Sequence, residues 1–267
     1  MTEQIVVANG VELCVETFGS PADPAVLLIH GACASMLWWE TELCERLAAR
    51  GRYVIRYDNR DTGRSISYPP GAPGYTMTDL ARDAVGILDV LGVHRAHIVG
   101  RSMSGGIALI LGVDHPDRVA SLTFVATTTG DDDLPPPVAE FPPYAENADY
   151  VVESLRAYAG DSPFFDAEAV RTLAEQDIAR TRDLTAALTN HFSMHIDGPA
   201  GGGFGDLTAP VLVVHGDRDP MYPLAHGAAL HAAVPGSRFL VLEGAGHDVP
   251  RPLWDVFVDA LTTHTEK

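Results

Sequence analysis

The sequence predicts an α/β protein with a doubly wound, mostly parallel sheet (the α/β class) and a small inserted helical cap. Three observations carry this expectation. The continuous apolar run 25–29 has the composition of a strand covered on both faces, and 53–57 and 119–126 read as further short strands. Between them lie longer stretches with apolar residues at helical spacing, and strands that alternate with helices pair in parallel through crossovers. The rhythm breaks between Gly130 and Asp206, where an acidic, proline-rich run at 131–137 and a glycine-rich run at 198–205 bracket purely helical patterns.

Residues 5–7 and 11–17 alternate and flank Asn9-Gly10, a strong type I′ hairpin signal. A turn at 21–24 leads into the strand 25–29, which ends in the small-residue loop His30-Gly31-Ala32-Cys33-Ala34-Ser35. A helix is expected over 38–50 with Leu43, Leu47 and Ala48 inward, then a strand at 53–57 and the turn-rich segment 58–65. After a loop at 69–74, residues 77–91 carry a buried stripe of Leu80, Ala84, Ile87, Leu88 and Leu91, with Gly92 as the stop. A strand ending near Val99, a turn of small residues, a helix running to about His115 and the strand 119–126 follow. Helical patterns at 148–159, 167–181 and 183–194 fill the insertion. The strand 210–215, the helix 224–234, the strand 238–242 and a closing helix 254–264 resume the sheet. The division expected is a core domain of 1–130 and 206–267 with a helical cap at 131–205.

Composition narrows the function. A chain of 267 residues that is 46% hydrophobic can bury one large core. Its formal charge of −18 argues against a nucleic-acid partner, which needs clustered Lys and Arg, and against an anionic membrane. Cys14, Cys33 and Cys44 have neither metal-ligand spacing nor an even disulfide set. The start Met1-Thr2-Glu3-Gln4 has no secretory pattern, and no apolar run approaches the about 18 residues of a membrane span. A cytoplasmic protein is the expectation.

The chemistry centres on Gly100-Arg101-Ser102-Met103-Ser104, between a strand and a helix. This is the nucleophile elbow, usually G-x-S-x-G, in which the serine adopts a strained positive φ and the residues two before and two after must be small. Serine 104 stands where glycine is usual. A serine hydroxyl needs an adjacent base, and the base needs an orienting acid. His247, in Gly244-Ala245-Gly246-His247, and Asp219, in Gly216-Asp217-Arg218-Asp219-Pro220, both follow strands, and the order Ser102, Asp219, His247 is one of the known triad orders. All three fall at carboxyl ends of strands, where open sheets place their sites. The amide of Met103, opening the helix, and that of Ala32, in the loop after 25–29, are the expected oxyanion donors.

Other readings compete at several positions. Ser104 could be the nucleophile in a shifted frame, and Asp217 or Asp248 could be the acid. His30 could be catalytic, but a structural role for its loop fits better. His191 and His195 stand four apart without the glutamate of a zinc motif, so no metal is expected. Cys33 fits a small packing residue beside the oxyanion loop, and Asp58, Asp61, Arg60 and Arg64 a polar network supporting the site. Cys33, Trp38, Phe141, Tyr144, Phe165 and Met194 are the expected substrate-binding residues.

The elbow, the His30-Gly31 loop, Gly216-Asp217-Arg218-Asp219-Pro220 and Gly246-His247 resemble the α/β-hydrolase superfamily over nearly the whole chain. Val54-Ile55-Arg56-Tyr57-Asp58, Arg60-Asp61-Thr62-Gly63-Arg64-Ser65 and Phe18-Gly19-Ser20-Pro21 are similar to methylesterases of the aclacinomycin type. The chain departs from these in its less glycine-rich oxyanion loop, in Ser104 and in a shorter cap. The resemblance implies a serine esterase, without cofactor, that cleaves a small-molecule carboxylic ester of apolar character through an acyl-enzyme. Lactonase, C–C hydrolase and perhydrolase chemistry use the same triad, and a ligand-binding protein on the same fold is the non-enzymatic alternative. A homodimer is left open.

Overall fold

The computed structural model describes residues 3–266; Met1 and Thr2, with which the segment read for a leader begins, and Lys267 lie outside them. The eight-stranded sheet runs in the order β1 (Gln4–Ala8), β2 (Val11–Phe18), β4 (Tyr53–Tyr57), β3 (Ala25–Ile29), β5 (Ala96–Arg101), β6 (Val119–Val125), β7 (Val211–Gly216) and β8 (Arg238–Leu242). Strand β2 is antiparallel to both neighbours, and every other pairing is parallel. The β1–β2 hairpin turns through Asn9 and Gly10 at φ of 48° and 79°, the two positive values of a type I′ turn.

Period-two alternation divides the core between the two faces of the sheet. Leu27 and Ile29 of β3 point to one face, with Ile55 and Ile98, under α2 (Met77–Val90) and α3 (Ser104–Asp114). Val26 and Leu28 point to the other, with Val54, Val99 and Val214, under α1 (Thr41–Ala49) and α8 (Trp254–His264). Helix α2 starts at a capping box in which Thr76 and Asp79 satisfy each other's amides, and Gly92 follows its end at φ 69°. In the chain between β6 and β7 come α4 (Ala148–Ala159), α5 (Ala167–Arg180) and α6 (Leu184–Ser193), with N-caps Asn147, Asp166 and Asp183. Helix α7 (Ala225–Ala233) joins β7 to β8.

The helix expected over 38–50 starts late. Met36–Trp38 form a separate 3₁₀ turn, and α1 begins at Thr41. The Trp39 carbonyl, which a continuous helix would use, instead accepts from the Arg56 guanidinium, and that guanidinium also donates to Thr41 Oγ1 at 3.0 Å. The indole of Trp39 turns into the core and stacks on Phe257, with ring centres 6.3 Å apart. A buried cation thus outweighs helix propensity over this turn. Among the described residues no helix is long and apolar enough to cross a membrane.

Candidate active site

Strand β5 ends at Arg101, and Ser102 turns the chain into α3 at φ 52°. A non-glycine residue in this region costs on the order of 1–3 kcal/mol and persists only where its surroundings hold it. Here the Ser102 N–H donates to the Val125 carbonyl at 2.9 Å, and the Ser102 carbonyl accepts from Thr127 Oγ1 at 2.8 Å. A Cβ at Gly100 would collide with the Ser104 carbonyl, which is why that position is glycine. Ser104 is fully buried and donates its hydroxyl to the His30 carbonyl at 2.5 Å. The residue that departs from the usual motif therefore ties the elbow to the neighbouring loop. A Cβ on Gly31 of that loop would lie 3.0 Å from Ser102 Cβ, so the loop passes directly over the serine.

Ser102 Oγ lies 2.9 Å from His247 Nε2, and His247 Nδ1 lies 2.7 Å from Asp219 Oδ2. Asp219 Oδ1 accepts the amides of Met221 and Tyr222, each at 2.8 Å. Burial alone would raise its pKa, but His247, then the Tyr222 amide and His215, hold it below the usual carboxylate value. The His247 amide donates to the Tyr158 carbonyl at 2.9 Å, and Arg101 Nη2 donates to the His247 carbonyl at 2.7 Å. Tyr158 stacks on the imidazole at 5.2 Å between ring centres, and Tyr222 meets it edge-on at 5.4 Å. Asp217 points elsewhere: its Oδ1 accepts the Gly244 amide at 2.6 Å and joins the turns after β7 and β8. Burial raises the carboxyl of Asp248, and its Oδ1 has no partner among the described residues.

The amides of Ala32 and Met103 donate to no protein acceptor among the described residues. Met103 follows Ser102 in the chain, and Ala32 follows Gly31 in the loop that passes over the serine. Two free amides near a serine hydroxyl have the donor chemistry that an oxyanion would use. Cys33 follows at φ 60°, and its amide donates to His191 Nδ1 at 2.9 Å. His30 is buried, with Arg101 Nη1 2.9 Å from its Nε2; burial first, then that guanidinium, push its pKa well down. Its Nδ1 faces the Gly31 amide at 2.8 Å, so the ring stands between its own loop and the Arg101 side chain.

The expected substrate-binding residues separate in space. Cys33 and Trp38 line a small cavity with Thr62, Asp177, Leu184 and Leu188, between the core loops and α5–α6. Phe141 is half-exposed and meets Tyr158 edge-on at 4.8 Å. Met194 is buried in the cluster that holds Tyr75 and Met77, against which Met103 packs. Tyr144 is exposed and donates to Glu146, and Phe165 lies under the Arg156 guanidinium at 4.6 Å; none of Phe141, Tyr144, Phe165 and Met194 lines the cavity that Cys33 and Trp38 share. Burial first, then the Asp61 charge, raise the Cys33 thiol to about 12, which leaves it neutral. The polar turn expected of Asp58, Asp61, Arg60 and Arg64 is wired differently, because partners from other elements come closer than those within the turn. Asp58 accepts the Met36 and Arg64 amides at 2.8 and 2.9 Å but pairs with Arg180 of α5 at 2.8 Å. Arg64 reaches Glu3 at 2.9 Å, Asp61 accepts the Tyr75 hydroxyl at 2.6 Å, and Arg60 pairs with buried Asp83 at 2.6 Å. Among the described residues no group of three His, Cys, Asp or Glu side chains is arranged to hold a metal ion. Tyr158, Tyr222 and Arg101 around the imidazole were not singled out from sequence. Arg101 stood inside the elbow motif, but nothing local marks the two tyrosines, which come from different elements.

Comparison with known proteins agrees with this architecture. Residues 24–180 match the model of the alpha/beta hydrolase fold, and 197–253 match that of TAP-like proteins. Rhodomycin D methylesterase DauP of Streptomyces sp. (strain C5) is 30% identical, with 99% of this chain and 98% of that one covered. Among solved structures, the meta-cleavage product hydrolase CumD of Pseudomonas fluorescens IP01 superposes with a TM-score of 0.81 at 20% identity, over 98% and 96% of the two chains. The enol-lactonase of Burkholderia xenovorans LB400 does so with 0.80 at 21% identity, over 99% and 100%. The two structures share the fold, and the family model with the full-length relative settles membership: this chain belongs to the α/β-hydrolase family.

Proposed function

We propose that this protein is a carboxylesterase whose catalytic residues are Ser102, His247 and Asp219, with the Ala32 and Met103 amides as oxyanion hole. The observation that carries the reading is the continuous chain of contacts from Ser102 Oγ through His247 to Asp219, at 2.9 and 2.7 Å, on a serine held at positive φ. In the first half-reaction Ser102 Oγ attacks the ester carbonyl carbon as its proton passes to His247 Nε2. The carbonyl oxygen becomes an oxyanion facing the two amides. Collapse breaks the bond to the alkoxy oxygen, and His247 returns the proton so that the alcohol leaves. Water repeats the sequence on the Ser102 acyl ester and releases the acid. Asp219 holds the imidazole tautomer with Nδ1–H towards itself and stabilises the imidazolium.

The similarity to a rhodomycin D methylesterase supports methyl esters of bulky, apolar, polyketide-like acids as the substrate class. Residues 131–205 are the cap that shapes the acyl pocket, with Cys33 and Trp38 on its core side. The reading makes a small-molecule ester the partner and the cytoplasm the location, and light scattering after gel filtration distinguishes monomer from homodimer. The test is a fluorophosphonate label with a panel of p-nitrophenyl and methyl esters. Wild type is expected to be labelled at Ser102 and to turn over esters, while Ser102→Ala does neither. A wild type that is neither labelled nor active, yet binds small apolar ligands, would be a binding protein and not an esterase.

A further inference from the structure

We propose that His191, on α6 of the inserted segment, is a positioning residue for the oxyanion hole: it grips the Cys33 amide and so fixes the neighbouring Ala32 N–H over Ser102. The proposal rests on the esterase reading above. Cys33 occupies the left-handed region at φ 60°, a conformation a side chain adopts only under external constraint. That constraint comes from His191, whose Nδ1 accepts the Cys33 amide at 2.9 Å. Because Nδ1 is the acceptor, the proton sits on Nε2, which donates to the Arg60 carbonyl at 2.9 Å. One side chain thus spans the loop after β3 and the loop after β4.

The ring is held from all sides. It is 3% exposed and meets the Tyr75 ring edge-on at 6.4 Å. The preceding Asn190 accepts the Gly71 amide at 2.7 Å and donates to Asp61 Oδ2 at 3.0 Å. The same Asp61 oxygen accepts the Tyr75 hydroxyl at 2.6 Å. Burial holds the imidazole neutral, which keeps Nδ1 free to accept. The Gly31–Ala32 peptide, whose N–H faces the oxyanion, shares the Ala32 Cα with the Ala32–Cys33 peptide that His191 grips. Holding the second limits rotation of the first. The inserted helices therefore complete the catalytic machinery as well as covering it.

The test compares three substitutions. His191→Phe keeps the ring and its edge contact but loses both nitrogens. His191→Gln places an amide near Nε2 and leaves the Cys33 amide without an acceptor, whereas His191→Asn places one near Nδ1. With p-nitrophenyl butyrate, Phe and Gln are expected to lower kcat about 10- to 100-fold, a fraction of the loss for deleting an oxyanion donor, with KM within about threefold. Asn is expected to recover most of kcat. A trifluoromethyl ketone, which adds Ser102 Oγ and puts an oxyanion in the hole, should lose affinity by the same factor as kcat/KM. The matching secondary alcohol should bind as before. A purely structural role would rank the variants by Tm instead of by which nitrogen is replaced. Equal kcat in the Asn and Gln variants, or a folded Phe variant with wild-type kcat and ketone affinity, overturns the role of His191 while wild type is still labelled at Ser102. Absence of that label in wild type overturns the esterase reading and this role with it.

Discussion

Replacing Asp219 by asparagine changes one atom, and the surroundings dictate which way the amide faces. The Met221 and Tyr222 amides, each 2.8 Å from Oδ1, both need an acceptor there, so the amide oxygen stays and the NH₂ group turns to His247 Nδ1. Nδ1 must then accept, the imidazole proton moves to Nε2, and Nε2 can no longer take the proton of Ser102. In a serine protease the equivalent exchange costs about 10⁴ in kcat, or about 5.4 kcal/mol at 1.36 kcal/mol per tenfold. We expect Asp219→Asn to lower kcat about 10³- to 10⁴-fold on p-nitrophenyl butyrate, with little change in KM. Asp217→Asn is the control, because its single bond from the Gly244 amide survives with an amide oxygen as acceptor. That variant should stay within about threefold of wild type, the scale of a substitution that removes no interaction. Circular dichroism verifies that both are folded. The reasoning fails if Asp219→Asn keeps more than a tenth of wild-type kcat, or if Asp217→Asn is the more damaging change.

Further outcomes follow from other contacts. Ser104→Gly, which would restore the usual elbow pattern, should destabilise the fold by about 1 kcal/mol in urea, because the buried His30 carbonyl loses its shorter donor at 2.5 Å and keeps Asn59 Nδ2 at 3.3 Å; Ser104→Ala should stay active while Ser102→Ala does not. Asp83→Ala strands the buried guanidinium of Arg60, paired at 2.6 Å, and should cost about 3–5 kcal/mol by the same measurement. His30, His97, His191, His215 and His264 all have pKa values lowered by burial, that of His97 to about 4. Each favours the neutral form when folded and binds a proton more readily once unfolded, so the stabilisation is present above about pH 6.5 and falls as pH drops towards the lowered values; for His97 the fall is about 1 kcal/mol between pH 7 and 5.5. Urea titrations should show this fall, and His97→Gln should remove about one histidine's share of it; a pH-independent midpoint refutes the burial argument.

Much of this architecture was legible in the chain. Val26 to Ile29 and Val211 to Val214 are apolar on both parities because strands inside a parallel sheet are covered on both faces, and such runs need no tertiary information to recognise. The turn at Asn9-Gly10 and the stop at Gly92 were equally visible, since a positive φ selects the residue locally. The late start of α1 was not, because it depends on Arg56, which captures the Trp39 carbonyl from β4. In the site, motif spacing nominated Ser102, Asp219 and His247. The sequence already favours Asp219 over Asp217 as the acid, and the fold aims the first carboxylate at His247 and the second at the Gly244 amide.

The sequence by itself determined the strands and helices, the strained serine turn and the residue types available for chemistry, because these follow from local sterics and from periodic burial. Only the tertiary structure decided which groups meet. Ser104 with His30, Tyr158 and Tyr222 with His247, and His191 with Cys33 are pairs from distant parts of the chain. A hydrogen bond or ring contact between such groups depends on how the sheet and the inserted helices pack in three dimensions, and pairwise spacing along the chain carries no record of it.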